Sequence, residues 1–212
     1  MIECVIFDLD GVIVSTDEYH YKAWKAIADE EGIYFDKNIN QRLRGVSRME
    51  SLDIIVENSS REYSKEEKLK MSEKKNKLYQ ELLKQITEKD LSEEVKETLE
   101  KLRKMNIKLA IGSSSKNTKL ILNQVGLGEY FDAISDGTMI EYSKPHPEVF
   151  IKAAQLLNIN CKKCLVVEDA EAGCIAAKSA SMYVAGIYSA SDCKFADYSI
   201  KNFKDIIEFI YI

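Results

Sequence analysis

The stretch Val5-Ile6-Phe7-Asp8-Leu9-Asp10-Gly11 decides how the rest of this 212-residue chain is read. Residues 2–7 are a short apolar run rich in β-branched side chains, which is the pattern of a strand buried on both faces. Asp is disfavoured inside strands, so Asp8 and Asp10 mark the strand's carboxyl end and point to a crevice there. No second strand pattern follows for about seventy residues. Ser15 and Glu18 have the spacing of a helix capping box, and Tyr19, Ala23 and Ile27 then recur every fourth residue until Gly32 stops the helix. Ser47 with Glu50, and Ser64 with Glu67, are two further boxes. The last opens a long helix whose apolar face carries Leu78, Tyr79, Leu82, Leu83 and Ile86.

Beyond residue 88 the pattern alternates. Strands are expected at 108–111, 131–135, 165–167, 182–187 and 198–200, and helices at 92–105, 117–125, 147–157 and 170–180, with Pro145 and Pro147 setting the start of the third. Such alternation implies βαβ units and a parallel sheet. The fold class is therefore α/β, a Rossmann-like parallel sheet flanked by helices. A helical cap is inserted after the first strand, because seventy helical residues are too many for one crossover. The expected division is a core of 1–14 and 89–212 and a cap of 15–88.

Composition narrows the function. Against 30 basic residues stand 35 acidic ones, for a net charge of −5 and a pI near 5.3, which argues against a general nucleic-acid binder. Cap and core share this balance, since 15–88 holds 14 Lys/Arg and 15 Asp/Glu. No run of 18 apolar residues exists to span a membrane. The first residues lack a basic segment and a small-residue cleavage site, so no secretory signal is expected and the cytoplasm is the default location. The five cysteines suggest free thiols in a reducing compartment. Cys161-Lys162-Lys163-Cys164 has half the spacing of a zinc site, but no second Cys/His pair lies near it.

Four features recur in order at strand ends. They are Asp8-Leu9-Asp10-Gly11, then Ser113 after Ile111-Gly112, then Lys144 beside the two prolines, then Glu168-Asp169. Each alone is bland: an acidic loop, a turn serine, a surface lysine. In open α/β sheets ligands bind beyond the strands' carboxyl ends, and the four together form one constellation. Arg48 adds another element. It takes the first position of the helix opened by Ser47, where it is unfavourable against the helix dipole unless an anion joins it.

These residues resemble the four ordered motifs of the haloacid dehalogenase superfamily. The second carboxylate, Asp10, fits its phosphotransferase branch rather than a true dehalogenase. Further stretches resemble the β-phosphoglucomutase family within it. These are Gly11-Val12-Ile13, Glu18-Tyr19-His20, Ala23-Trp24-Lys25-Ala26, Gly45-Val46-Ser47-Arg48, Lys75-Asn76, Ser113-Ser114-Ser115-Lys116-Asn117 and Tyr130-Phe131-Asp132-Ala133-Ile134. That resemblance implies a Mg²⁺-dependent isomerase that interconverts β-glucose 1-phosphate and glucose 6-phosphate through bound glucose 1,6-bisphosphate. It also implies a monomer acting on small sugar phosphates, without nucleic-acid or membrane partners.

Residue by residue, the resemblance makes Asp8 the nucleophile that becomes an aspartyl phosphate. Asp10 becomes the general acid/base, or else purely a metal ligand. Asp8, Asp10 through its backbone carbonyl, Glu168 and Asp169 would hold the metal, while Ser113 and Lys144 would stabilise the transferring phosphoryl group. Arg48, Ser114, Ser115, Lys116 and Asn117 would grip the second phosphate. Gly45 and Val46 would approach the sugar by backbone. Lys75 would lie over the sugar, although from sequence it could equally snorkel to solvent. Trp24 is either packing or a substrate contact. His20 either couples cap closure to Asp10 or is a surface histidine. Two departures stand out: the cap's return, Asp90-Leu91-Ser92-Glu93-Glu94-Val95, lacks the family's Pro-Gly turn, and His146 replaces a small residue. A sugar-phosphate phosphatase and a non-catalytic binding module are the alternative functions.

Overall fold

The computed structural model describes residues 1–211. Its first strand, β1 (Cys4–Phe7), is followed by four helices: α1 (Asp17–Glu30), α2 (Lys37–Gln41), α3 (Arg48–Val56) and α4 (Lys65–Leu83). Then come α5 (Glu93–Lys104), β2 (Lys108–Gly112), α6 (Thr118–Gln124), β3 (Ala133–Ser135), α7 (Glu148–Leu157), β4 (Cys164–Glu168), α8 (Glu171–Ser179), β5 (Tyr183–Ile187) and β6 (Tyr198–Ile200). All five strand pairings are parallel, in the order β3-β2-β1-β4-β5-β6. The order reverses at β1, so the switch point, where such sheets bind ligands, lies at the carboxyl ends of β1, β2 and β4. The expected α/β architecture is the one observed.

β1 is buried on both faces because it sits mid-sheet. Val5 and Phe7 join the core on one side, with Leu99, Leu109 and Phe203, while Cys4 and Ile6 join the other, with Phe150, Val166 and Val184. Each such apolar side chain contributes about 1.5–3 kcal/mol on burial. The helices between β1 and α5 add an apolar cluster of their own, around Trp24, Ile27, Phe35, Leu52 and Ile55. Among the described residues no helix is long and apolar enough to cross a membrane.

Two of the three expected capping boxes form, at Ser47–Glu50 and Ser64–Glu67. The one at Ser15 does not. Thr16 is the N-cap of α1, and its hydroxyl donates to Asp10 instead of accepting from the helix backbone. Helix α2, capped by Asp36, carries too short a periodic pattern to be read from sequence. At the cap's return, a short 3₁₀ turn (Glu88–Asp90) boxed by Thr87 and Asp90 stands where a Pro-Gly turn is missing.

Candidate active site

The strand ends bring four charged groups into one buried cluster. Lys144 Nζ lies 2.5 Å from Asp8 Oδ1 and also donates to Glu168 Oε1. Lys144 and Glu168 are each 1% exposed. Burial opposes the lysine's charge, yet the two carboxylates prevail and hold its pKa above the ordinary lysine value. The backbone supports this arrangement. Lys144 N–H donates to Ser114 Oγ (3.3 Å), the Lys144–Pro145 peptide is cis, and Ala170 N–H donates to Glu168 Oε2 (3.1 Å). Gly11 holds φ +90°, and a Cβ there would overlap the Asp169 carboxylate, so only glycine allows Asp169 so close to β1.

Asp8, Glu168 and Asp169 each present a carboxylate oxygen within 4.8 Å of the others. One lysine does not offset three carboxylates. Burial pushes Glu168 up to about 7 against the pull of Lys144. Burial, then the charges of Glu168 and Asp8, pushes Asp169 up to about 8. A hard oxygen set short of positive charge is the donor chemistry of a divalent cation site, so these residues fit a metal. The side chain of Asp10 stands outside the set. It accepts the hydrogen bond of Thr16, and burial with the neighbouring charge of Asp8 raises it to about 6. Ser113, 1% exposed, is anchored through its backbone N–H to Ser135 O (3.1 Å).

Above this cluster a cavity of about 550 Å³ separates the strand ends from α1–α4, and every site residue expected from sequence lines it. Lys75 does not snorkel. It is 2% exposed, shares a hydrogen bond with His20 Nδ1 (2.9 Å) and lies 4.9 and 4.4 Å from the ring centres of Trp24 and Tyr79. Burial, then the charge of Arg48, pulls its pKa well below the usual lysine value. His20 is lowered in the same way, by burial and then by Lys75 and Arg48. Arg48 opens α3 as expected and, among the described residues, makes no ion pair. Burial lowers its pKa. Asn117 is committed elsewhere: its amide accepts from Gln80 Nε2 (2.9 Å) and donates to Asn76 Oδ1 (3.0 Å), both on α4. Ser115 Oγ accepts from Asn117 N–H (3.2 Å), and Lys116 is exposed.

The sequence matches the model of the haloacid dehalogenase-like hydrolase family over residues 2–181. The chain belongs to that family. This family member is 39% identical over 207 residues to the β-phosphoglucomutase of Bacillus subtilis, covering 97% of this chain and 92% of that one. It is 32% identical to a phosphorylated carbohydrates phosphatase of Thermotoga maritima, over 85% and 82% of the two chains. The crystal structure of β-phosphoglucomutase from Clostridium difficile superposes with a TM-score of 0.92 at 41% identity, covering 100% of this chain and 96% of that one. Family and relatives make the protein an enzyme.

Several residues in or behind the wall of this enzyme's cavity could not be read from the sequence. Thr16 orients Asp10. Tyr79, four residues after Lys75 on the same helix face, closes the aromatic box; that spacing was the available signal. Asn40 is 8% exposed and its amide oxygen has no partner. Arg44, which bridges the helices to the core, looked like any loop arginine.

Proposed function

We propose that this enzyme is a β-phosphoglucomutase, interconverting β-D-glucose 1-phosphate and D-glucose 6-phosphate through β-glucose 1,6-bisphosphate. The observation that carries the reading is the division of cations around the cavity. Lys144 is fixed by two carboxylates, whereas Arg48 and Lys116 line the same cavity with no ion pair among the described residues. A mutase must grip a phosphate at each end of the sugar, and a phosphatase only one. The family membership and the β-phosphoglucomutase relatives support the same reading.

In this reading residues 15–88 form a cap that closes over a core of 1–14 and 89–212 and keeps water from the reacting groups. Asp8 attacks phosphorus: its oxygen bonds to the phosphoryl group as the bond from phosphorus to the sugar oxygen breaks. The Asp10 carboxyl gives its proton to the departing oxygen; when the hydroxyl at the sugar's other end attacks the aspartyl phosphate and the bond from Asp8 to phosphorus breaks, Asp10 takes that hydroxyl's proton. Lys144 and Ser113 stabilise charge on the transferring oxygens. Mg²⁺ held by Asp8, Glu168, Asp169 and the Asp10 carbonyl would, when bound, offset repulsion between carboxylate and phosphate. Arg48, Ser114, Ser115 and Lys116 hold the second phosphate. Trp24, His20, Gly45, Val46 and Lys75 form the sugar's wall. A coupled assay for glucose 6-phosphate on each anomer of glucose 1-phosphate, with inorganic phosphate measured in parallel, tests this. Glucose 6-phosphate from the β anomer with little phosphate release supports it. Phosphate alone replaces it with a sugar-phosphate phosphatase, and neither product with retained sugar-phosphate binding replaces it with a binding module.

A further inference from the structure

Among the described residues five cationic side chains line the cavity, and Arg44 alone is tied to side chains of both the insert and the core. Arg44 precedes Gly45 on the loop between α2 and α3. Its Nη2 pairs with Asp17 in the first turn of α1. Its Nη1 donates to Ser189 Oγ at 3.0 Å, in the turn after β5, and stands 3.5 Å from Asp169 Oδ2. Ser189 Oγ in turn donates to the main-chain oxygen of Asp169 at 2.8 Å. The guanidinium therefore joins α1, the end of β4 and the turn after β5, which are 27, 125 and 145 residues from it along the chain. Gly45, at φ +75°, brings its loop against the start of α8, where a Cβ would stand 3.3 Å from Ala172 Cβ and 3.5 Å from Ala170 Cβ. On the opposite flank of the cavity the amides of Gln80 and Asn76 meet Asn117. Polar side chains thus join the insert to the core on both flanks of the cavity, and among the described residues the Arg44–Asp169 contact is the one ion pair that crosses between them.

We infer that Arg44 is a positioning residue that clips the helical insert onto the core, with Asp17 as its seat on the insert and Ser189 and Asp169 as its catch on the core. This rests on the proposed reading in one respect, that the insert opens and closes. Opening breaks the hydrogen bond to Ser189 and the ion pair with Asp169 at once, both made by one guanidinium, which makes the clip cooperative. A lysine's ammonium lacks the planar fork that faces two acceptors at fixed angles, and it holds less well.

Hydrogen–deuterium exchange on the full chain without substrate tests the clip, comparing wild type with Arg44→Gln, Arg44→Lys, Ser189→Ala and Arg44→Gln combined with Ser189→Ala. Exchange in segments 42–48 and 186–192 is expected to quicken roughly tenfold in Arg44→Gln, the factor that one charge-assisted hydrogen bond supplies. Ser189→Ala should quicken the same two segments, Arg44→Lys should recover part of the loss, and the double variant should exchange no faster than Arg44→Gln alone. Unchanged exchange, effects that simply add, or faster exchange in β1 and β4 as well would each overturn the clip. Because no substrate is present, the result is independent of the mutase reading: a wild type that makes no glucose 6-phosphate sinks that reading and leaves the clip standing.

Discussion

The two walls of the cavity are built on opposite principles. The core wall is acidic and closely partnered: Asp8 and Glu168 share one lysine, a backbone N–H holds Glu168, and Gly11 leaves room for Asp169 beside them. The insert wall is cationic and aromatic, and its Arg48 has no ion pair among the described residues. Their titration follows suit. Burial raises the core's acids and lowers the insert's bases, so each wall holds charge that it cannot neutralise by itself. Each wall lacks what a metal-bound phosphorylated sugar would bring, a cation to one side and an anion to the other. In the proposed reading the chemistry falls to the strand ends and the choice of substrate to the helices.

The sharpest way to break that division is to remove one group from each wall. Asp8→Asn should abolish the acid-labile phosphoprotein and cut turnover by roughly a thousandfold or more, because no other core group can take the phosphoryl group. Rapid-quench labelling with a phosphodonor measures it, and a surviving phosphoprotein would move the nucleophile elsewhere. Arg48→Ala should cut mutase turnover roughly a hundredfold while hydrolysis of a small aryl phosphate changes little, since that substrate has no second phosphate. Equal loss in both assays would place Arg48 in the chemistry and erase the contrast between the walls.

The same contrast explains what the sequence could show. The core wall was legible because a strand end is a local object: a β-branched run, then a carboxylate, at one place in the chain. Asp8, Ser113, Lys144 and Glu168 could be read in order, and the sheet brings them together. The insert wall was legible only where a helix start marks it, as at Ser47-Arg48. Arg44, Asn40 and Tyr79 gain their roles from packing across helices, which has no sequence period of its own. Thr16 was missed for a further reason. A hydroxyl at a helix start is read as a cap, yet here it serves Asp10 because the chain turns back through Gly11.

A smaller effect tests the core's shortage of cations. Glu168 and Asp169 carry folded pKa values of about 7 and about 8, above the roughly 4 of an unfolded carboxylate. Between these limits the folded chain keeps protons that the unfolded chain has released. Stability of the metal-free protein should therefore fall as pH rises from about 4.5 towards 8, by at most ~1.4 kcal/mol per pH unit for each proton. Millimolar Mg²⁺ should flatten the slope, because the cation replaces those protons. Urea unfolding across that pH range, with chelator and with Mg²⁺, measures both. A flat profile in chelator would mean that Lys144 and Arg44 already balance the cluster.

The insert should respond with the opposite sign, and Lys75 isolates it. Its folded pKa lies well below the unfolded value near 10.4, so the unfolded chain binds its proton more readily and the residue costs stability as pH falls below that value. Lys75→Met keeps an unbranched chain of similar length between Trp24 and Tyr79 and removes the desolvated amine. The variant should be more stable than wild type by about 1 kcal/mol, because it removes the desolvation cost of a buried amine. The gain should be larger at pH 6 than at pH 9, where wild type sheds part of the penalty. Activity should move the other way, with a higher KM for the sugar phosphate as the wall loses a donor. Thermal unfolding at the two pH values decides it. If Lys75→Met is the less stable protein at both, the ammonium's contacts with the two rings and His20 outweigh its desolvation, and the insert wall is a satisfied structural cluster rather than a surface held ready for substrate.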